Sequence, residues 1–314
     1  MNNTDTHKPI LSIVIPTKDR LEIFTESLER AVNAIESVNA EIIVVNDSYV
    51  PLGSKFEFNN KVRIYNNNGK GVATARNFGA NKAVGELILF LDNDMWLSKE
   101  NVETYLRLTK ELGDVIINLN WVYPKYLHEK IKSTAIGRYL DSKDLTSMKG
   151  WNKGNNWNDD ELFESSAVAS ANLLISRKNF NALNGYDETF PFAGWEDFDF
   201  SIRVKNSGIR TYIYPKSMMY HNENNKFELN GWLRKNYQSA ITQKHAVGIG
   251  YTELKQKSSI VKQLIYLIMI PFGPLLLLLA KILSHYKSLD FMYQKLVDAL
   301  TGLIIYKGYK GYDY

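Results

Sequence analysis

The sequence predicts an α/β fold built on a doubly wound, mostly parallel sheet. Short apolar runs of strand length alternate along the first 100 residues with segments of helical periodicity. Strands that alternate with helices in this way are typical of parallel sheets. The chain of 314 residues is also 45% hydrophobic and 23% charged, so it can bury a large core. Sheets of this kind bind ligands at the carboxyl ends of their strands.

Each element of the amino-terminal part has its own sequence pattern. The strands are continuous apolar runs such as ILSIVIP, which suit strands buried on both faces. The helices place apolar residues three and four positions apart, as Leu21, Phe24 and Leu28 do. In chain order the predicted elements are strand 10–16, helix 21–35, strands 41–45 and 62–65, helix 72–84 and strand 86–91.

The second half continues the alternation less regularly. A strand is predicted from residue 170, and Ser176 is a suitable N-cap for a helix that ends at Gly185. After Trp195 the apolar residues fit a strand and a helix equally well, and we favour a helix because Gly208 ends the segment. A further strand is predicted at 209–215, with a histidine soon after it.

Polar residues stand where three of the predicted strands end. They are Pro16 with Thr17, Asp47, and the segment Asp92-Asn93-Asp94. The carboxyl ends of neighbouring parallel strands share one edge of the sheet, so we expect these residues to line one crevice. An Asp-x-Asp pair there suits a hard divalent cation that also binds phosphate oxygens. Aspartate and asparagine also occur commonly in plain turns, so the pattern alone leaves both interpretations open.

A dinucleotide-binding loop is an alternative interpretation of the same region. Gly69 and Gly71 follow a strand and open a helix, and Asp92 follows at about the distance of a ribose-binding acid. However, Thr74 occupies the third glycine position, and an oxidoreductase has no use for the second carboxylate of Asp94. An NAD-type oxidoreductase is therefore the least favoured function.

The net positive charge of the chain arises in its carboxyl-terminal part. The net charge is +4, and residues 251–314 contain eight lysines against four acidic residues, so the first 250 residues are neutral. With no basic stripe in the body of the protein, we expect no nucleic-acid partner. The lysines flank an uncharged apolar run of 17 residues, 264–280, which Pro271, Gly273 and Pro274 interrupt. This pattern favours an in-plane or re-entrant membrane anchor, and a buried hairpin or a homo-oligomer interface is the alternative.

Two further features concern the compartment. Cysteine is absent, which fits a reducing compartment and leaves oxygen and nitrogen ligands for any metal. The polar start MNNTDTHKPI lacks the basic and apolar segments of a signal peptide. Together with the lysine-flanked run, these features predict a cytoplasmic protein that is peripheral on the cytoplasmic face of the membrane.

Five segments occur in the order found in a known enzyme family. They are LSIVIPTKDR, EIIVVNDS, GVATARNFGANKAVGELILFLDND, NGYDETF and GWEDFDFSIRVKNSG. The chain resembles the inverting family 2 glycosyltransferases of GT-A fold over about residues 8–222. The Trp-Glu-Asp segment, followed by YHNE, is also similar to the galactosyltransferase-like half of bacterial chondroitin-polymerase-type enzymes. An insert at 120–165, rich in tryptophan, departs from the common pattern, and we interpret it as an acceptor loop.

The resemblance implies a domain organisation and a reaction. Residues 1–115 would form the nucleotide-sugar-binding half of a GT-A domain, 116–240 its acceptor and catalytic half, and 241–314 a helical, membrane-associated region. The implied activity is metal-dependent, inverting transfer of a hexose from UDP-galactose, UDP-glucose or an N-acetylated form. The acceptor would be a lipid-linked glycan or a surface polysaccharide. A noncatalytic sugar-nucleotide-binding or scaffold protein on the same fold is the alternative.

The resemblance also implies roles for individual residues. Asp197 would be the base that takes the acceptor proton, and burial beside Trp195 is expected to raise its pKa. The acceptor would be bound by Trp195 and Glu196. A Mn²⁺ or Mg²⁺ ion would be held by Asp94, His221 and Asp92. The donor would be bound by Pro16, Thr17, Asp47, Arg76, Asn77, Asp92 and Asn93, with a salt bridge on a helix face as the structural alternative for Arg76.

Overall fold

The computed structural model describes residues 8–53, 56, 59–152, 157–223 and 227–314. Nine strands of this part of the chain form one sheet. They are β1 (Leu11–Thr17), β2 (Ala40–Asn46), β3 (Val62–Asn66), β4 (Leu87–Leu91), β5 (Met95–Trp96), β6 (Ile116–Val122), β7 (Phe163–Glu164), β8 (Asn172–Ser176) and β9 (Thr211–His221). The order across the sheet is β3, β2, β1, β4, β8, β6, β9 and β5, and β7 also pairs with β9.

The predicted α/β class is confirmed. The four amino-terminal strands run parallel, and so do β6 and β9. β8 is antiparallel to both of its neighbours, β4 and β6. Every residue of β1 and β2 is buried, which explains why these strands are continuous apolar runs in the sequence.

The helices begin and end close to the predicted positions in the amino-terminal part. They are α1 (Leu21–Ala34), α2 (Val72–Lys82), α3 (Lys99–Leu112), α4 (Lys125–Ser133), α5 (Ala135–Ser142), α6 (Met148–Trp151), α7 (Arg177–Ala182), α8 (Glu196–Ser207), α9 (Leu229–Gly248), α10 (Ile260–Met269), α11 (Gly273–Leu283) and α12 (Asp290–Lys310). The segment after Trp195 is a helix, as expected. α2 packs closely on β1, because a Cβ added at Gly79 would overlap the Val14 side chain.

The chain forms two compact units. Unit 1 contains the described residues up to Val122, with Asn152–Thr189 and Glu196–Asn222, and it includes the whole sheet. Unit 2 contains Tyr123–Trp151, Phe190–Trp195 and, in its described part, the residues from Glu223 to Tyr314. The domain boundaries proposed above after residues 115 and 240 remain predictions. The insert is more than a loop, because its residues 125–151 include the helices α4, α5 and α6.

Helix α12 lies at the centre of unit 2. Its buried side chains include Tyr293, Val297 and Leu300. It packs on α9 and on α11, and it also contacts α5. The guanidinium of Arg138 in α5 donates to both carboxylate oxygens of Asp290, at 2.5 and 2.7 Å. The carboxyl-terminal helix is therefore part of the core of this unit.

The apolar run lies in a continuous helical segment of 24 residues, Ile260–Leu283. A 3₁₀ turn at Ile270–Phe272 joins α10 to α11. The prolines interrupt the α-helical geometry only around this turn. Pro271 lies at the start of the 3₁₀ turn and Pro274 at the start of α11. A proline is tolerated at the start of a helix, because the N–H that it lacks would have no partner within the helix. Within the described part of the chain, this is the one helical segment long and apolar enough to cross a membrane, and most of it is exposed.

Candidate active site

The ends of β1, β2 and β4 form one edge of unit 1, as predicted. β1 lies between β2 and β4, so Thr17 at its end reaches both neighbours. The Thr17 carbonyl accepts from the backbone N–H of Asp47 at 2.8 Å. Its hydroxyl Oγ1 accepts from the Asn93 amide at 2.8 Å. Pro16, one residue earlier in β1, lies beside Val45 in the neighbouring strand. The three polar clusters are thus brought together.

Asp47 forms a buried acceptor site between β2 and α2. Its Oδ1 atom accepts from the Asn67 amide at 2.6 Å and from the backbone N–H of Gly71 at 3.0 Å. Lys18 lies 3.5 Å from Oδ2. Gly71 adopts a φ of 106°, a conformation that favours glycine, so the turn before α2 brings its N–H to the carboxylate. The carboxylate fixes this turn and remains near a lysine at the strand ends.

Asp94 and His221 are brought together by the short strand β5. This strand follows Asp94 directly and pairs antiparallel with the end of β9, where Met95 lies opposite His221. The Asp94 Oδ1 atom is consequently 3.3 Å from His221 Nε2. The backbone N–H of Asn222 donates to the Asp94 carbonyl at 2.6 Å. Trp121 packs edge-on against the imidazole at 4.9 Å, which limits the movement of the ring.

Arg20 also binds this segment, although the sequence analysis did not single it out. Its two terminal nitrogens donate to Asp94 Oδ2 at 2.8 Å and to Asn93 Oδ1 at 2.7 Å. The signal in the sequence is a cation directly after β1, in the segment TKDR. Arg20 therefore contacts one carboxylate oxygen of Asp94, and His221 lies near the other.

Arg76 occupies the centre of a second cluster. It donates to Asp92 Oδ1 and to Glu196 Oε1, each at 3.0 Å, and it lies 3.8 Å from Asp197 Oδ1. Burial opposes the charged form of this guanidinium, but the three carboxylates raise the pKa of Arg76 above its ordinary value. A simple salt bridge on a helix face does not describe this arrangement, because Arg76 joins α2, the end of β4 and the start of α8.

Asp197 lies in the first turn of α8 and keeps about a third of its side chain, 32%, exposed. Ser170 donates a short hydrogen bond from its hydroxyl to Asp197 Oδ1, and the Ser170 hydroxyl lies 2.6 Å from the Tyr186 hydroxyl. Burial and the charge of Asp92 raise the pKa of Asp197, although Arg76 and Ser170 act in the opposite direction. The carboxyl group is oriented, accessible and more basic than an ordinary aspartate.

Three of the predicted binding residues have structural contacts. Asn77 donates to the Tyr186 carbonyl and accepts from the Tyr186 N–H, both at 2.8 Å, so it holds the turn that carries this tyrosine. Glu196 is only 2% exposed and binds Arg76. Trp195 belongs to unit 2, where its indole N–H donates to Ser239 at 3.1 Å. Their roles in donor or acceptor binding stay predictions.

The Asp94 and His221 pair fits a divalent cation. A carboxylate oxygen and an imidazole nitrogen 3.3 Å apart can share a Mn²⁺ or Mg²⁺ ion that takes further oxygen ligands from a diphosphate. Within the residues that the structure describes, no group of three or more His, Asp or Glu side chains converges on one point. Asp92 accepts from Arg76, and its assignment as a third metal ligand stays a prediction.

Comparison with known proteins identifies the family. Residues 12–263 match the model of the family described as glycosyltransferase like family 2. The chain belongs to this family. Membership of this family agrees with the predicted class of enzyme and removes the NAD-type oxidoreductase from consideration.

Curated relatives of this member of the family are distant in sequence. It is 24% identical over 238 residues to a chondroitin synthase of Pasteurella multocida, an alignment that covers 68% of this chain and 25% of the relative. It is 25% identical over 233 residues to the O-antigen biosynthesis protein RfbC of Myxococcus xanthus, covering 68% of this chain and 17% of the relative. The chain thus spans a quarter or less of the length of these two relatives.

Two solved structures show that the fold is GT-A, as expected. The crystal structure of GalNAc-T7 with UDP, GalNAc and Mn²⁺ aligns with a TM-score of 0.53 at 16% identity, covering 76% of this chain and 51% of that one. The mannosyltransferase PcManGT of Pyrobaculum calidifontis, in complex with GDP-Man and Mn²⁺, aligns with a TM-score of 0.54 at 12% identity. That alignment covers 94% of this chain and 86% of the mannosyltransferase.

Proposed function

We propose that this glycosyltransferase transfers a hexose from a UDP-sugar to a glycan acceptor with inversion at the anomeric carbon. The main support is the position of Arg76, which donates to Asp92 and lies 3.8 Å from Asp197. One guanidinium therefore adjoins Asp92, which is assigned to donor binding, and Asp197, which is assigned as the base that deprotonates the acceptor. A direct transfer requires the two substrates to meet side by side in this way.

The polar groups around Asp47 support a nucleotide as the donor. The Asp47 carboxylate and the Thr17 hydroxyl offer acceptor atoms at the edge where α/β sheets bind nucleotides. A carboxylate at this position accepts from a uracil N–H or from ribose hydroxyls. We propose UDP-galactose, UDP-glucose or an N-acetylated form because of the resemblance to chondroitin-polymerase-type enzymes.

We propose Mn²⁺ or Mg²⁺ as the cofactor, with Asp94 and His221 as its ligands from the chain. When bound, the ion supplies positive charge to the diphosphate group as it leaves the sugar. An imidazole ligand suits Mn²⁺ better than Mg²⁺. Both solved relatives described above contain Mn²⁺.

Asp197 is the proposed catalytic base. The acceptor oxygen forms a bond to the anomeric carbon, the carbon–oxygen bond to the diphosphate breaks on the opposite face, and the acceptor proton passes to Asp197. The raised pKa of Asp197 favours this proton transfer. Ser170 and Arg76 orient the carboxyl group, and Tyr186 orients the Ser170 hydroxyl.

We further propose that the enzyme works on the cytoplasmic face of a membrane and extends a lipid-linked glycan or a surface polysaccharide. The support is the exposed apolar surface of α10 and α11, which includes Ile268, Leu275 and Leu278. Lysines of the same region, such as Lys262 and Lys281, suit anionic headgroups around an inserted apolar face. The helices would then lie in the plane of the membrane surface.

The deciding experiment measures nucleoside diphosphate release from a panel of UDP-sugars and GDP-mannose, with and without Mn²⁺. We expect release from one or more UDP-sugars that depends on Mn²⁺ and on a glycan acceptor. Asp197→Asn should abolish transfer, and Asp114→Asn, the same change at an exposed turn, should not. Release from GDP-mannose alone would overturn the proposed donor, and full activity of Asp197→Asn would overturn the proposed base.

A further inference from the structure

The contact between Arg20 and Asp94 has a consequence for metal binding. Arg20 donates to Asp94 Oδ2 at 2.8 Å, and Asp94 Oδ1 lies 3.3 Å from His221 Nε2. The same guanidinium binds Asn93 Oδ1 at 2.7 Å, and the Asn93 amide donates to Thr17. Arg20 is thus held beside the Asp94 carboxylate by one hydrogen bond to Asp94 and one to Asn93.

The backbone accounts for this placement of the side chain. Asp19 adopts a φ of 52°, an uncommon conformation for a residue other than glycine, and it turns the chain sharply between β1 and α1. Arg20 follows directly at the N-cap position of α1. The turn directs its guanidinium to the end of β4, where Asn93 and Asp94 lie.

The charge of the proposed ligand Asp94 is neutralised by Arg20 without a bound ion. Arg76, the nearby buried arginine, is instead shared by the three carboxylates of Asp92, Glu196 and Asp197. Arginine keeps its charge at any ordinary pH, so Arg20 remains a cation beside the carboxylate that would bind a second cation. A divalent ion at Asp94 is therefore opposed by this positive charge, unless a ligand brings further negative charge with it.

We infer that Arg20 makes metal binding at Asp94 and His221 conditional on the nucleotide. The diphosphate of the donor supplies negative charge in place of the Asp94 charge that Arg20 neutralises, so metal and nucleotide bind as a pair and each strengthens the binding of the other. This inference rests on the proposed metal-dependent donor binding. It assigns Arg20 a positioning role that acts through Asp94.

The experiment measures Mn²⁺ binding by electron paramagnetic resonance of the free ion, with and without UDP. The proteins are the full chain, Arg20→Gln, Arg20→Lys and the control Arg30→Gln. Arg30 lies in α1, the helix that Arg20 caps, but it stacks over Trp96 at 4.0 Å and pairs with Glu26. Thermal unfolding of each variant checks that the fold is retained.

We expect the unsubstituted chain and Arg30→Gln to bind Mn²⁺ weakly alone and much more tightly with UDP. Without UDP, Arg20→Gln should bind Mn²⁺ about tenfold more tightly than the unsubstituted chain, because a repelling charge is removed. The gain on adding UDP should shrink accordingly. Arg20→Lys keeps the charge and should keep most of the dependence on UDP.

Two results would overturn the inference in different ways. Equal Mn²⁺ affinity of Arg20→Gln and the unsubstituted chain without UDP, or weaker binding by the variant, would reduce Arg20 to a structural support and leave the proposed function intact. Failure of the unsubstituted chain to bind Mn²⁺ even with UDP would remove the metal from the proposed function, and this inference with it.

Discussion

Replacement of Arg76 by glutamine should destabilise unit 1 strongly. The change removes a buried cation that binds Asp92 and Glu196 and lies near Asp197. Asp92 and Asp197 are 31% and 32% exposed and can recover contact with water, whereas Glu196 is 2% exposed and cannot. Breaking a buried ion pair by removing one partner costs about 3–5 kcal/mol, and most of that cost should arise at Glu196.

Urea unfolding followed by circular dichroism measures this loss, and a double-mutant cycle locates it. Glu196→Gln in the Arg76→Gln background should restore about 1–3 kcal/mol, because it removes the buried charge left by the first change. Arg107→Gln breaks an exposed salt bridge with Glu111 and should cost less than about 1 kcal/mol. If Arg76→Gln costs no more than this control, or if Glu196→Gln restores nothing, the reasoning from burial is wrong.

Three further predictions concern the site and the apolar surface. Asp94→Ala should abolish the effect of EDTA on UDP binding in calorimetry, and EDTA sensitivity equal to that of the unsubstituted chain would contradict the metal assignment. Because the folded-state pKa of Asp197 is raised, the ionised carboxylate lowers stability above the ordinary aspartate pKa of about 4. Asp197→Asn should therefore stabilise the protein at pH 7 and lose this advantage as the pH falls from 7 towards about 4, and an equal effect of the substitution at pH 7 and at about pH 4 in urea unfolding would refute the argument. Leu275→Ser with Leu278→Ser should weaken sedimentation with anionic vesicles at least roughly tenfold, since each leucine contributes about 1.5 kcal/mol or more when buried in lipid. Val50→Ser, at another exposed apolar residue, should leave sedimentation unchanged, and unimpaired sedimentation of the double variant would remove the membrane proposal.

The packing of α12 decides how the apolar surface must be tested. Truncation near Tyr251 would remove α10 and α11, but it would also remove α12, whose side chains form much of the core of unit 2. Loss of vesicle binding by such a truncated protein would not distinguish a lost lipid contact from unfolding. Substitutions confined to exposed positions of α11 avoid this ambiguity.

The sequence was sufficient to predict the parallel part of the sheet and its polar edge. β1 and β2 are buried on both faces, so each is an unbroken apolar run in the sequence. The shared position of the polar residues at their carboxyl ends follows from the topology of a parallel sheet. The contacts made by Arg20 and Ser170 were not predicted. Arg20 meets Asp94 across 74 residues, and Ser170 meets Asp197 across 27, and no local pattern encodes such pairs.

The helices of the insert were missed for a related reason. α4 and α5 contain only 9 and 8 residues, and helices this short are not stable on their own in water. Their stability comes from partners elsewhere in unit 2, such as Asp290 and Asp298, which bind Arg138 and Tyr139. A pattern read over a short window contains no information about these partners.

The interleaved composition of unit 2 has a consequence for synthesis of the protein. Arg138 precedes its partner Asp290 by 152 residues. At a translation rate of about 5–20 residues per second, α5 leaves the ribosome about 8 to 30 seconds before the helix that completes its packing. During this interval Arg138 and Tyr139, which bind Asp290 and Asp298 in the finished protein, lack these partners. The packing of unit 2 can therefore be completed only after α12 has emerged.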